Sequence, residues 1–454
     1  MLSVINPATE ELIKQLVTDT QESIGSKYQL CRQAQISWGQ VAIEERKEII
    51  EKFRVLLQDN ADACARDTSL ETGRPVHQVR NEIKATDARL IYFNETIEEV
   101  IKTQEVYRDE TVREMVSWEP LGVIANISAW NYPYFVGTNV FVPALLAGNG
   151  VLYKPSEYAS LTGQRLVELM LQAGLPENVM TPVIGDGQVG AMLMEQKIDG
   201  VFFTGSHDTG RKINEEVASR LVKVGFELGG KDPCYVTEDV DVSQAAAAVA
   251  DGAFYNCGQS CCAVERVYVH EKIYDGFVAA FIEAVEGFKV GKPEDPSTYL
   301  GPLTRKEQIE VLNNQIADAV KQGATLQVGG NPTEGVGYYF EPTVLTEANH
   351  QMKLMVEESF GPIIGIQKVS SDQEAVELMN DTDYGLTASV YCRNLDRARN
   401  IMFHVHAGTV YTNCCDRVSP YTPWSGRGHS GLGSTLGRMG LETFLQPKAW
   451  HIKP

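Results

Sequence analysis

Three cysteines fall within six positions in the stretch FYNCGQSCCAVERV, residues 254–267: Cys257, Cys261 and Cys262. Thiols this close suit three chemistries: a metal knuckle, a redox pair, or a loop that presents a single thiolate. Zinc knuckles need paired C-x₂₋₄-C units. One such spacing occurs here, Cys257 with Cys261, and the second cysteine cluster is the adjacent pair Cys414 and Cys415. No metal is expected on that partial match. A thiolate is a strong nucleophile, but a free thiol with a pKa of about 8.5 needs local help to ionise.

Two glycine-rich places compete for a phosphate-bearing ligand. GDGQVG, residues 185–190, matches G-x-G-x-x-G between a predicted strand and a predicted helix, which would set a pyrophosphate on the helix N-terminus. GVFFTGSHDTG ends a predicted strand at Thr204 and Gly205, and Ser206 then opens a helix as a favoured N-cap, where free amides and the helix dipole attract phosphate. The residues alone do not choose between them. YKPSE, residues 153–157, puts Lys154 and Glu157 at a strand's carboxyl end, the rim where α/β sheets bind ligands. A carboxylate there suits ribose hydroxyls.

The elements that must carry these residues read as an α/β protein. Residues 42–66 have helical apolar spacing, and 113–130 read as an exposed strand followed by a buried one. Short apolar runs then alternate with helices at 160–174, 188–196 and 208–222, the rhythm of βαβ units and a mostly parallel sheet. It restarts near Gly230 with a helix at 243–256, a strand at 264–270 and a helix at 272–288. The chain has 454 residues, 43% hydrophobic and 22% charged, as expected for a globular protein of several domains. Asp and Glu number 60 against 40 Lys and Arg, a formal net charge of −20 that repels nucleic acid. The most apolar stretch, FVPALLAGNGVLYKP, is too short and too broken by Pro and Gly to span a bilayer. Nine scattered cysteines and no secretory pattern at the N-terminus point to a reducing, cytoplasmic setting.

Several separated stretches together resemble the aldehyde dehydrogenase superfamily: EPLGVIANISAWNYP, YKPSE, FTGSHDTG, FELGGKDP, NCGQSCCA, EESFGPI, NDTDYGLTASVY and GTVYTNCCD, in the family's order. The most specific are FELGGKDP and GQSC, whose Glu227 and Cys261 stand 34 positions apart. The resemblance selects Cys261, which follows Gly-Gln-x, as nucleophile, and leaves Cys257 and Cys262 as neighbours. It implies a thiohemiacetal, hydride transfer to a nicotinamide, and a thioester hydrolysed with Glu227 as general base. The oxyanion donors would be the Asn131 amide and the Cys261 backbone N–H.

For the cofactor, NAD with NADP as a weaker second, the resemblance implies Lys154, Ser156 and Glu157 at the adenosine ribose and Gly205 and Ser206 at the pyrophosphate. Gly187 would lie near the adenine. Glu358 would hold the nicotinamide ribose with Phe360 beside the ring, and Ile127, Trp130 and Leu228 would line the same cleft. The implied architecture is a Rossmann-like dinucleotide-binding domain (1–101 and 122–229), an α/β catalytic domain (230–430) and a small β oligomerisation extension (102–121 and 431–454). The family forms homodimers or homotetramers.

The sequence also departs from the family. Ala129 replaces the Pro before Trp-Asn, and the family's PFGG-K-SG-GRE-G becomes PWSGRGHSGLGSTLG at 423–437. Succinic semialdehyde dehydrogenases carry an Arg in the helix after Trp-Asn, where Asn139 stands here. That argues against a carboxylate-bearing substrate unless Arg417 substitutes. Tyr132, Tyr134 and Phe135 are candidates for a tunnel lining like that of betaine aldehyde enzymes. Two alternatives remain: a CoA-acylating enzyme, whose relatives lack the base equivalent to Glu227, and a binding protein on the same fold that has lost catalysis.

Overall fold

The computed structural model describes residues 1–453. Two sheets, each wrapped by helices, organise most of the chain. The strands Val123–Ile127 and Gly150–Lys154 are buried at every position. That is what a central parallel strand covered on both faces requires, and it explains their unbroken apolar reading.

The first sheet has six strands, in spatial order Gly431–Leu432, Lys223–Glu227, Gly200–Thr204, Val123–Ile127, Gly150–Lys154 and Met180–Pro182. All neighbours are parallel except Gly431–Leu432, which adds antiparallel to Lys223–Glu227. The chain enters at Val123–Ile127, winds outward to Met180–Pro182, and returns to the other side at Gly200–Thr204. Strand order therefore reverses between Val123–Ile127 and Gly200–Thr204. In doubly wound sheets ligands bind beyond the carboxyl ends at such a reversal. Ile127, Lys154, Thr204 and Glu227 all end their strands there.

The second sheet has seven strands, in the order Thr325–Val328, Thr343–Thr346, Ile363–Val369, Val264–His270, Asp232–Val236, Thr387–Tyr391 and Thr409–Thr412. Only its edge pair, Thr325–Val328 with Thr343–Thr346, is antiparallel. A third, antiparallel sheet joins Leu445–Ile452, Arg113–Pro120 and Gln104–Arg108. The parallel α/β architecture expected from the sequence is what is found.

One expected element divides. The helix anticipated over 42–66 is two helices, Ile43–Asp59 and Ala61–Thr72. Asn60 breaks it: its side-chain amide donates to the Leu56 carbonyl at 2.8 Å, in competition with the backbone ladder. The next helix, Val76–Ile101, buries one face against Pro133–Leu146 and carries Glu82 and Arg89 to the cleft between the sheets.

Candidate active site

The cysteine loop is built by strain that its neighbours hold. After the helix Val242–Phe254, three successive residues are left-handed: Asn256 (φ 55°), Cys257 (φ 57°) and Gly258 (φ 66°). The two non-glycine residues cost roughly 1–2 kcal/mol each. A Cβ on Gly258 would stand 2.4 Å from the Gly361 carbonyl oxygen, so this position admits glycine only. The Asn256 amide donates to the Asn131 and Gln259 carbonyls, each at 3.2 Å. The Gln259 carboxamide donates back to the Asn256 carbonyl at 3.2 Å and accepts from the Thr304 N–H at 3.0 Å. The Gly-Gln pair thus has a physical meaning: close approach at one residue, bracing at the next.

The three thiols end in different places. Cys257 is buried, donates to the Gly301 carbonyl at 3.1 Å, and is pushed up to about 12 by desolvation. Cys262 donates to the Asp416 carboxyl at 2.9 Å; the adjoining Cys261 thiol, together with burial, raises it well above the ordinary thiol range. Cys261 is partly exposed and opens onto a cavity of about 700 Å³.

Glu227 and Asn131 line that same cavity, so the three residues read as catalytic from the sequence are brought together. The Asn131 amide donates to the Gln259 carbonyl at 3.1 Å, which locks it onto the cysteine loop. Its own carbonyl accepts from Arg74 at 3.1 Å. Arg74 pairs with Glu82 at 2.5 Å, and Glu82 caps the helix Pro133–Leu146 by accepting the Tyr134 and Phe135 N–H groups at 2.8 and 3.0 Å. Burial pushes Glu227 above the usual carboxyl range, against the opposing effects of a Thr435 hydroxyl that donates to it and of nearby Arg89. Thr435 falls where the family string has its Glu in GRE.

The residues assigned to the cofactor lie along the carboxyl edge of the first sheet. The Lys154 ammonium is almost wholly enclosed, with a single long bond to the Pro155 carbonyl at 3.4 Å, and burial lowers its pKa. Ser156 donates to Glu157 at 3.3 Å. Gly187 starts the helix Gly187–Met194, and a Cβ there would meet open space. Ser206 caps the helix His207–Val217, while a Cβ on Gly205 would strike Phe203 at 2.4 Å. Trp130 packs edge-on against Phe360 at 5.6 Å and Tyr158 at 6.4 Å. Ile127 and Leu228 are buried; Leu228 lies so close to Gly210 that a Cβ there would touch it at 2.6 Å.

Glu358 accepts the Gly230 N–H at 2.9 Å, and burial plus the neighbouring Glu265 carboxylate raise its pKa. A buried ion pair anchors this loop: Lys231 meets Glu265 at 2.7 Å, and Glu265 accepts the Ser359 and Phe360 N–H groups, each at 2.9 Å.

Of the three aromatic candidates, Tyr132 and Phe135 line the cavity, whereas Tyr134 is buried against Thr68 at 2.9 Å. Sequence reading missed Arg74, Glu82, Arg89 and Thr435. Glu82 and Arg89 lie on one amphipathic helix seven positions apart, a spacing that signals a shared face but not its chemistry.

The chain matches the family model described as aldehyde dehydrogenase family over residues 1–450. It is 33% identical to a peroxisomal aminoaldehyde dehydrogenase of Pisum sativum, over 98% of this chain and 91% of the relative. It superposes on a betaine aldehyde dehydrogenase from Staphylococcus aureus in complex with NAD+ with a TM-score of 0.95, at 30% identity, covering 99% of this chain and 91% of that one. An E. coli NADP-dependent enzyme gives a TM-score of 0.97 at 29% identity, covering 100% and 95%.

The accessibility of the thiols predicts a selective reaction. Iodoacetamide at neutral pH should alkylate Cys261 in the native protein while Cys257 and Cys262 stay unmodified, read by peptide mass spectrometry. Equal labelling of Cys257 would contradict its enclosure.

Proposed function

This chain belongs to the aldehyde dehydrogenase family, an NAD(P)-dependent oxidoreductase that oxidises aldehydes to carboxylic acids, and we propose that Cys261 is its nucleophile, Glu227 its general base and Asn131 its oxyanion donor. The observation that carries this assignment is that all three line one cavity, with Cys261 the accessible thiol of its cluster.

The Cys261 sulfur adds to the aldehyde carbonyl carbon, and the oxygen becomes an oxyanion beside the Asn131 amide and the Cys261 N–H. Such a donor typically contributes about 10²–10³ in rate. Bound NAD(P)+ supplies the hydride acceptor. The thioester left on Cys261 is hydrolysed by water that Glu227 deprotonates, and the acid leaves as the thiolate is restored. Retention of Glu227 favours hydrolysis over transfer to CoA, and the assembled thiol, base and amide favour catalysis over a purely binding role.

For the cofactor, Lys154, Ser156 and Glu157 would hold the adenosine ribose and Gly205 and Ser206 the pyrophosphate. Gly187 would lie near the adenine, and Glu358 would hold the nicotinamide ribose, with Ile127, Trp130, Leu228 and Phe360 around it. The fit is supported by Lys154, a buried cation short of partners at the sheet's carboxyl edge, and by the open space at Gly187. The division at 1–101 with 122–229, 230–430, and 102–121 with 431–454 belongs to the same reading. So does a cytoplasmic setting, supported by nine free cysteines.

Glu227→Gln should release a stoichiometric burst of NADH and then stall as thioester. Because a general base works only when deprotonated, and Glu227 is raised, wild-type turnover should climb with pH through that raised pKa, with no such limb in the variant. Loss of the burst with cofactor still bound would move the role of Glu227 to thiol activation.

NAD should be preferred over NADP, since Glu157 accepts from ribose hydroxyls but opposes a 2′-phosphate of about −1.5 to −2 charge. Glu157→Ser should narrow or invert the ratio of kcat/KM values; a wild-type enzyme at least tenfold better with NADP overturns the assignment.

A homodimer or homotetramer completes the reading. The three-stranded sheet exposes Val106, Tyr107, Trp450 and Ile452, apolar groups that pairing across subunits would cover. Light scattering should give a dimer or tetramer, and deletion of 446–454 should weaken it; a monomer at micromolar concentration rejects this.

A further inference from the structure

The wall of the substrate cavity formed by the helix Val76–Ile101 carries a buried cation with no ion-pair partner. Arg89 is only 3% exposed, yet among the described residues its guanidinium makes one protein hydrogen bond, from Nη1 to the Asn139 Oδ1 at 2.9 Å. It forms no ion pair with any described carboxylate. Its other N–H groups are open to the cavity, unlike the Arg74 Nε, which is sealed without a partner. The guanidinium lies 3.6 Å from the centre of the Phe135 ring, which fixes its plane. Burial lowers its pKa to about 10, so it stays charged at neutral pH.

The acids of the cavity are already engaged. Glu82 pairs with Arg74, Asp416 accepts from the Cys262 thiol, Asp251 accepts from the Tyr299 hydroxyl at 2.6 Å, and Glu227 accepts from Thr435. The aromatic surface is engaged as well. Arg74 lies 4.3 Å over Tyr132, whose ring stacks on Phe135 at 5.9 Å, and Arg89 covers Phe135 in turn. A substrate ammonium would meet guanidinium charge where a cation box would need free ring faces. The absence of Arg at position 139 is thereby reinterpreted. Asn139 orients an arginine delivered from another helix, Val76–Ile101, which supplies a cation where position 139 itself has none.

We propose that Arg89 anchors a carboxylate at the far end of the aldehyde substrate, with Arg417 assisting at the exposed side of the cavity, so that this enzyme acts on ω-oxo acids. A guanidinium fork matches a carboxylate with two parallel hydrogen bonds, and a desolvated cation with no carboxylate in ion-pair contact gains most from receiving one. Asn139 is a positioning residue that sets the plane of the fork. The proposal rests on the Cys261 aldehyde-oxidising site described above.

The test compares NADH formation by the full-length enzyme with 4-oxobutanoate and 5-oxopentanoate, neutral pentanal, and cationic 4-aminobutanal. The expected order is an oxo acid first and 4-aminobutanal last. Arg89→Gln should reduce the kcat/KM ratio of oxo acid to pentanal about 10–100-fold, the worth of a charged hydrogen bond, chiefly through KM for the oxo acid. Arg89→Lys should recover part of that ratio, and Asn139→Ala should lower it less. Wild-type preference for pentanal or 4-aminobutanal overturns the proposal without any variant having to fold. Equal loss on oxo acid and pentanal in Arg89→Gln also overturns it, because Arg89 would then act only on Glu227. No NADH from any of the four aldehydes would instead count against the catalytic assignment, and is separable from both results.

Discussion

The Lys231–Glu265 ion pair is the constraint on which the catalytic geometry depends. Removing two charges from water costs several kcal/mol each, and the pair repays that only if every remaining hydrogen-bonding position is filled. Here they are largely filled: Lys231 also donates to Ser359 at 3.0 Å, and Glu265 receives two backbone N–H groups from the Glu358–Phe360 loop. Lys231 follows Glu227 by four residues, and Glu265 follows Cys261 by four. Glu227, Cys261 and the loop bearing Glu358 are therefore tied at one dry point between the two sheets. Loss of either partner would strand a buried charge, at about 3–5 kcal/mol. The pair secures position more than stability, since an apolar pair of similar volume could pack as well.

A second buried pair does the same for the other wall of the cleft. Glu82 sits at the N-terminus of Pro133–Leu146, where both its hydrogen bonds and the helix dipole favour a carboxylate. Arg74 pairs with it and holds the Asn131 carbonyl, so the Asn131 backbone is fixed from behind while its side chain is fixed by the cysteine loop. The strained residues Asn256 and Cys257 are tolerated because both walls close on them.

Much of this was legible in the sequence. Strand and helix alternation gave the parallel sheets, because strands buried on both faces must read as short apolar runs. Motifs such as FELGGKDP and GQSC were legible because their residues cluster within one turn, where local spacing encodes geometry. What was not legible came from residues whose function depends on distant partners. Arg89 reads as one more charge on an amphipathic helix until packing places it 2.9 Å from Asn139, fifty residues later. Asn60 reads as tolerable in a helix until its side chain takes the Leu56 carbonyl. Lys231 and Glu265 are ordinary surface types by composition, and only the meeting of two sheets makes them a buried pair.

The partner of Glu227 shows how a departure from the family pattern is compatible with the proposed chemistry. A general base in a dry cleft must be held in place, yet not so tightly that its proton affinity falls. A carboxylate neighbour, as in the family's GRE, would raise that affinity by like-charge repulsion and compete for the proton. Thr435 does neither: its hydroxyl is neutral and supplies one donor to the Glu227 carboxylate. Arg89, nearby, opposes the rise without donating to it. Desolvation still dominates, so Glu227 remains a stronger base than an exposed carboxylate. The same guanidinium that stands ready for a substrate anion therefore also bounds how far the base is shifted. On the proposed anchoring, an anion filling that position would offset the guanidinium and remove its opposition to the rise at Glu227. Under this reading, substrate recognition and base strength would share one charge.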